Sequence, residues 1–449
     1  MNPLTRLSAA LLCGAFLSPC LLAAEPAPAA QTGTAKAEEP ETTTPWYLRW
    51  MIQDTKAGML VKIPIIDSDP NRGTTVGFMP IWINKKAGTD KIQTMHAPSI
   101  TYNKVFGPVP TYRFYYYPTE VSTLHIRLAE SLQIEREALI MYEDERLFGK
   151  ELRFFGKLQY NIDGGRRFFG IGPDTPKKRV EVLTPNAPYD LTYRPGTGES
   201  NYAEDYILVN LSAGVPIRSG SKWWAHGYNY YTSWKTWNGK VPNLPAFFDT
   251  YPGWGPKYRQ QTEILGAKLE YDTRDHSVTP SHGEYLKFYA ETSAKGFLSV
   301  HDFQRYGVDA RILYPYDPDG KRLIAFQAKF DQALGNPPFW FQPGLGGKWS
   351  LRAYGEGRYI ERGTMVFNVE HRINLWSVQL AGVETIFELT PFAGTGTVFH
   401  GPERMAAKYF RPVFGLGGRA VAKPQVVGCV DFGYGQEGLA AFVDINYAF

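Results

Sequence analysis

The sequence predicts an all-β fold, a transmembrane antiparallel β-barrel of about 16 strands over residues 51–449. Three observations lead there. The N-terminus carries an export signal, no later stretch is apolar enough to cross a membrane as a helix, and many segments alternate apolar and charged residues with the period of a strand.

Residues 1–24 have one early cation, Arg6, an apolar stretch over residues 9–16 continued by Leu21 and Leu22, and Ala23-Ala24 ahead of Glu25-Pro26. That is the layout of a cleaved secretory signal peptide. A spanning helix needs about 20 apolar residues in succession, and Gly14, Ser18 and Pro19 interrupt this run. Lipidation at Cys20 is the weaker alternative, because Pro19 fits a lipoprotein box poorly. Cys13 and Cys20 would leave with the signal, so the mature chain keeps Cys429 and forms no internal disulfide. In Val426-Val427-Gly428-Cys429-Val430 that cysteine reads as a small apolar strand residue.

After residue 24 no run approaches 18 apolar residues and the mean hydropathy is −0.31, which excludes helical spans. Aromatic residues at 15%, with 44 glycines and 33 prolines, suit strands punctuated by turns. The net charge of +4 is small and indicates no nucleic-acid partner.

Residues 25–50, rich in Pro, Ala, Thr and Glu, read as a flexible periplasmic leader. Residues 46–52 are aromatic, and two readings stand for them: a short helix against or inside the barrel, or a lead-in to the first strand. From about Arg72 the alternation begins. In residues 151–162, Leu152, Phe154, Leu158, Tyr160 and Ile162 share one face and Glu151, Arg153, Lys157, Gln159 and Asn161 the other. The split recurs with Leu265 and Leu269 against Lys268 and Glu270, Phe288 against Lys287 and Glu291, Phe326 and Phe330 against Lys329 and Asp331, and Phe367 and Val369 against Glu370 and Arg372. Both signs of charge on the polar face suit a lumen, where cations and anions pair across strands.

Aromatic clusters such as Trp223-Trp224, Tyr230-Tyr231, Trp234 and Trp237, or residues 115–117, read as interfacial girdles at strand ends. The closing strand, residues 439–449, places Val443, Ile445, Tyr447 and Phe449 on one face. An edge strand of a soluble sheet would show the same pattern, and the export signal with the charged faces favours the barrel. Tyr447 and Phe449 are the closing-strand signal, with their rings expected at the membrane interface.

Particular residues then resemble a known family. Tyr271-Asp272-Thr273-Arg274-Asp275, followed by Pro280 and Gly283, resembles the strand-end motif of the BamA/TamA-type barrel superfamily, also called the bacterial surface antigen family. Leu351-Arg352-Ala353-Tyr354 resembles its Val-Arg-Gly-Phe/Tyr element, which lies on a long extracellular loop folded back into the lumen. Residues 367–372, 391–396, 414–419 and 430–435 resemble the strands that follow.

The resemblance implies that Arg352, Tyr354 and Glu370 form a lumen-loop lock, and that Asp272, Arg274 and Asp275 close a strand end. Two positions depart from the family: Ala353 replaces a glycine that permits positive φ, and Gly394 stands where relatives often carry Asp, which would leave Arg352 one acidic partner short. Roughly 45 residues separate Ala24 from a first strand expected at residues 74–83, too few for a periplasmic POTRA repeat, so the chain resembles a branch reduced to the barrel.

The implied location is the bacterial cell outer membrane. The implied partners are the lipid bilayer, lipopolysaccharide, the barrel assembly machinery for the chain's own insertion, and an unidentified periplasmic protein docked through the leader. The implied function is to assist insertion or translocation of protein or lipid through a weak seam between first and last strands. The alternative is a passive pore or a structural surface barrel. No enzymatic role, cofactor or metal is expected. His-Glu-x-x-His and Gly-x-Ser-x-Gly are absent, residues 344–348 lead into Trp349 where a P-loop requires Ser or Thr, and Asp272, Asp275, His276 and His282 read as a polar turn.

Overall fold

A computed structural model describes residues 50–89, 91–131, 134–176, 198–380, 383–422, 426–445 and 447–449. The signal peptide expected at residues 1–24, and the expected leader apart from Trp50, lie outside the described residues.

The chain is laid out as β1 (Ile52–Thr55), β2 (Gly58–Asp69), β3 (Gly73–Lys85), β4 (Ile92–Asn103), β5 (Gly107–Thr119), β6 (Ser122–Glu130) and β7 (Glu135–Asp144). Longer strands follow: β8 (Arg153–Phe168), β9 (Ser200–Pro216), β10 (Trp223–Asn238), β11 (Gln260–Asp272), β12 (Gly283–Ser293), β13 (Phe303–Pro315) and β14 (Arg322–Gly335). Two short strands, β15 (Gly344–Leu345) and β16 (Tyr359–Ile360), pair within the loop of residues 336–362. The last are β17 (Gly363–Leu380), β18 (Val383–Phe399), β19 (Arg411–Ala422), β20 (Val426–Gly435) and β21 (Gly438–Ile445).

Consecutive strands from β2 to β14 and from β17 to β21 pair antiparallel, β14 pairs β17, and β21 meets β2. This closes a barrel of 18 strands, and closure satisfies the backbone donors and acceptors that a bilayer cannot. Eighteen strands fit where about 16 were expected because many turns are tight: β2 to β3, β5 to β6 and β20 to β21 are joined by two or three residues. The first barrel strand is β2, upstream of the expected residues 74–83.

The alternation sorts as a barrel requires. Leu158, Leu265, Phe288, Phe326 and Phe367 are exposed on the outer face, while Gln159, Glu270, Glu291, Asp331 and Glu370 are buried on the inner one. Inside, Lys268 Nζ lies 2.8 Å from Glu270 Oε1 along β11, and Arg305 Nη2 lies 2.5 Å from Glu291 Oε1 across to β12. Arg311 grips Asp309 with two hydrogen bonds of 3.1 and 2.7 Å. Ion pairs therefore run along strands as well as across them.

One sector breaks the pattern. On β2, β3 and β4 the inward residues Met59, Val61, Ile63, Met79, Ile81, Ile83 and Met95 form an apolar inner wall. Some aromatics also lie inside the lumen, not at the interface: Trp234 stacks on Tyr206 at 5.1 Å and on Trp340 at 5.8 Å.

Leu265→Arg, which places a charge on the outer face midway along β11, is expected to cost about 2–4 kcal/mol. Urea titration in lipid vesicles measures it, and an unchanged midpoint would contradict the face assignment.

Candidate functional site: the loop lock and the barrel seam

Two features of the barrel draw side chains of different strands together: an ionic cluster that fastens the 336–362 loop inside, and the join between β21 and β2.

The loop enters the lumen on glycine turns. Gly346, Gly347 and Gly357 have φ of 107°, 83° and 68°, and a Cβ on Gly346 would come within 2.0 Å of the Gly355 carbonyl oxygen. Ala353 is not among the described residues with positive φ, so the family's glycine is not required there. The loop's geometric demand falls on other glycines.

Arg352 is 2% exposed. Its Nη1 donates to Glu370 Oε1 on β17 at 2.7 Å and to Asp431 Oδ2 on β20 at 3.0 Å, and its guanidinium lies 3.7 Å from the centre of the Phe392 ring. Gly394 carries no carboxylate, but Asp431 supplies the second acidic partner, so Arg352 is not one partner short. Asp431 also accepts from Arg419 Nη1 at 2.6 Å, and Arg419 Nη2 stands 3.7 Å from Glu370. Tyr354 is fully buried; its hydroxyl donates to the Pro412 carbonyl at 3.3 Å and accepts the Gln436 N–H at 3.2 Å.

Glu370 has a third arginine. Arg372 Nε donates to its Oε2 at 2.9 Å, and Arg372 Nη2 donates to the main-chain oxygen of Phe449 at 3.0 Å. The same guanidinium covers the Tyr447 ring at 3.8 Å, and the Tyr447 hydroxyl donates to Glu388 Oε2 at 2.8 Å. Tyr447 and Phe449 are both buried at 8% exposure, inside the barrel and not at the expected membrane interface. The strand stops at Ile445, and the chain beyond it turns inward to an arginine and a carboxylate that outbid the interface for those rings. Loop lock and C-terminal segment thus share one carboxylate.

The loop makes further ties. Lys348 pairs with Asp444 on β21, Arg358 Nε donates to Glu437 Oε1 at 2.5 Å, and Asn71 Nδ2 donates to the Glu356 carbonyl at 2.8 Å. Sequence reasoning missed Arg372, Arg419, Asp431, Arg358 and Lys348. Parity held part of the signal: Arg372 lies two residues after Glu370, hence on the same inward face.

At the seam, β2 and β21 share a single register pair, Ser68 with Ala441, among the described residues. The shortest other barrel ladder, β5 with β6, runs from Thr111 opposite Ala129 to Thr119 opposite Ser122.

The strand-end motif is separate from both features. Arg274 holds Asp272 with two bonds of 3.0 Å, and Asp275 accepts Ser281 N–H at 2.8 Å, Ser281 O–H at 2.6 Å and His282 N–H at 3.2 Å. Burial pushes the Asp275 carboxyl up, but these donors outweigh it and hold it below the usual carboxylate range.

The Omp85 superfamily domain matches residues 125–419. The crystal structure of BamA from Haemophilus ducreyi lacking POTRA domains 1–3 superposes with a TM-score of 0.50 at 13% identity, covering 86% of this chain and 75% of that one. CdiB from Acinetobacter baumannii matches at a TM-score of 0.45 and 12% identity, over 87% of this chain and 60% of that one. No curated protein matches the chain.

Arg352→Ala leaves Glu370 and Asp431 with arginine partners, so a loss of about 3 kcal/mol is expected, whereas Glu370→Gln leaves Asp431 to serve both Arg352 and Arg419 and leaves Arg372 with the Phe449 oxygen, and is expected to cost nearer 5 kcal/mol. Heat-modifiable gel mobility and protease resistance rank the two; unchanged behaviour of Arg352→Ala would refute the lock. The Asp275 contribution is present above the ordinary aspartate value and lost as pH falls through the lowered one. Amide exchange at Ser281 and His282 is expected to rise only in that acid range, and a rise beginning near neutral pH would contradict it. With the closed strand ring, the lumen-seated loop and the matched residues taken together, the chain belongs to the Omp85 superfamily.

Proposed function

We propose that this chain resides in the bacterial outer membrane and assists the insertion or translocation of protein or lipid there, acting at the seam between β2 and β21. The observation that carries the reading is that seam's single register pair among the described residues, where every other neighbouring pair of barrel strands shares a longer ladder. Strand edges with unpaired N–H and C=O groups are templates for another strand. An edge facing lipid is a stronger one, because no water competes for those groups.

The lock supports the same reading from the other side. Arg352, Glu370 and Arg372 fix the loop and the C-terminal segment inside the barrel, which keeps residues 447–449 from continuing the ladder on β2. The reading is non-enzymatic, supported by the way Asp272, Asp275 and Glu370 are each committed to arginine, hydroxyl or N–H donors. Its partners are lipid, lipopolysaccharide, the assembly machinery that inserts the barrel, and a periplasmic protein met by the leader.

One observation favours a second reading, a passive pore: a cavity of about 2350 Å³ remains in the lumen, lined by Arg72, Glu143, Lys268 and other charged residues. Planar-bilayer recording separates the readings, since a pore gives large stable steps and a seam device with a seated loop gives little steady current.

A photo-crosslinker at Ile66, exposed on β2 beside the seam, is expected to capture nascent barrels or lipid-transport proteins in living cells. Oxidation of a Ser68→Cys, Ala441→Cys pair in a Cys429→Ala background is expected to abolish that capture. Recovery of neither client class by the unlocked form would sink the reading.

A further inference from the structure

β1 is not one of the 18 barrel strands. The chain reverses after it through Lys56 and Ala57, and β1 then pairs antiparallel with the start of β2, Ile52 opposite Val61 and Thr55 opposite Gly58. One step further, the Lys62 N–H donates to the Met51 carbonyl at 2.7 Å. β2 has two edges, and β3 occupies one of them along its full length, from Gly58 opposite Asn84 to Asp69 opposite Gly73. β1 therefore lies on the other edge, the one that also receives β21 at Ser68.

β21 and β1 divide that edge. β21 reaches it at Ser68, near the end of β2 that leads into β3, and then departs, because the residues after Ile445 turn inward to Arg372 and Glu388. β1 fills the first part of what is left, from Gly58 to Val61.

Its hold is short. Four residues pair, and among the described residues no strand pairs with the far side of β1. A two-stranded hairpin of this length has little stability of its own. Its anchor is Ile52, buried, opposite Val61 and part of the apolar cluster that includes Met59, Ile81, Ile83 and Met95. That wall, which breaks the rule of a charged lumen, is what an apolar inward residue on a strand at this edge requires. Gly58, at φ 155°, lets the reversal press against β3, since a Cβ there would come within 2.1 Å of the Ile83 carbonyl oxygen.

We propose that β1 is an exchangeable cover on the seam edge of β2, and that an incoming extended segment with an apolar residue at every second position must displace it to pair there. This rests on the seam reading given above. The incoming strand runs antiparallel to β2 and sets its apolar residues where Ile52 sits, on the Met59, Ile81 and Ile83 wall. On β1, Gln53 and Thr55 are exposed and Ile52 is buried.

The test uses the full chain in lipid vesicles, with Cys429→Ala, and a fluorescent eight-residue peptide copying residues 442–449. Ile52→Asp removes the anchor and is expected to tighten peptide binding about tenfold, since the apparent affinity scales with the fraction of edges that are open. Gln53→Cys with Leu60→Cys, which stand opposite one another, ties β1 down when oxidised. Binding is then expected to fall at least about tenfold and to return on reduction. Equal binding by the oxidised and reduced forms overturns the proposal.

Hydrogen exchange gives a readout that needs no peptide. Lys62 amide exchange faster than that of the β11 ladder supports a cover that opens, and exchange as slow as that ladder shows β1 to be a fixed part of the wall and overturns it. Should no form bind the peptide, Ile52→Asp included, the strand-accepting seam fails, and the exchange data still decide whether β1 opens.

Discussion

One carboxylate organises the inside of this barrel. Glu370 has no exposed surface and lies within reach of Arg352 from the loop, Arg372 from its own strand and Arg419 from β19. Burying an anion is costly unless it is surrounded by donors, so each arginine is held in place by the same requirement. Through Arg352 it places the loop, and through Arg372 it places the last residue of the chain. Phe392 and Tyr447 lie under two of the guanidinium groups and offer a face of partial negative charge where a further carboxylate would otherwise be needed.

The parts of the fold legible in the sequence are those where the two faces of a strand meet different surroundings. β8, β11, β12, β14 and β17 carry charge inward and hydrocarbon outward, and their period of two could be read directly. β2 could not. Met59, Val61, Ile63 and Ile65 face inward while Leu60, Pro64 and Ile66 face outward, so apolar residues occupy both faces and the alternation disappears. The chain therefore looked strand-free until after β2, and the first strand was expected too late.

The site shows the same boundary. Arg352 and Glu370 were legible because each sits in a local sequence context, whereas Asp431 enters from β20, beyond β18 and β19 on the same wall, and no spacing along the chain encodes that meeting. Tyr447 and Phe449 share the parity of Val443 and Ile445, yet parity assigns a face only while the ladder continues. Once the strand ends at Ile445, the nearest arginine and carboxylate decide where the rings go.

Gly433 on β20 has a further consequence. A Cβ there would come within 1.8 Å of the Arg352 carbonyl oxygen, so the loop main chain rests directly on strand main chain with no side chain between. The loop therefore meets β20 along a surface that any other residue at 433 would push away, and the fit of loop to wall is set by main chain on both sides.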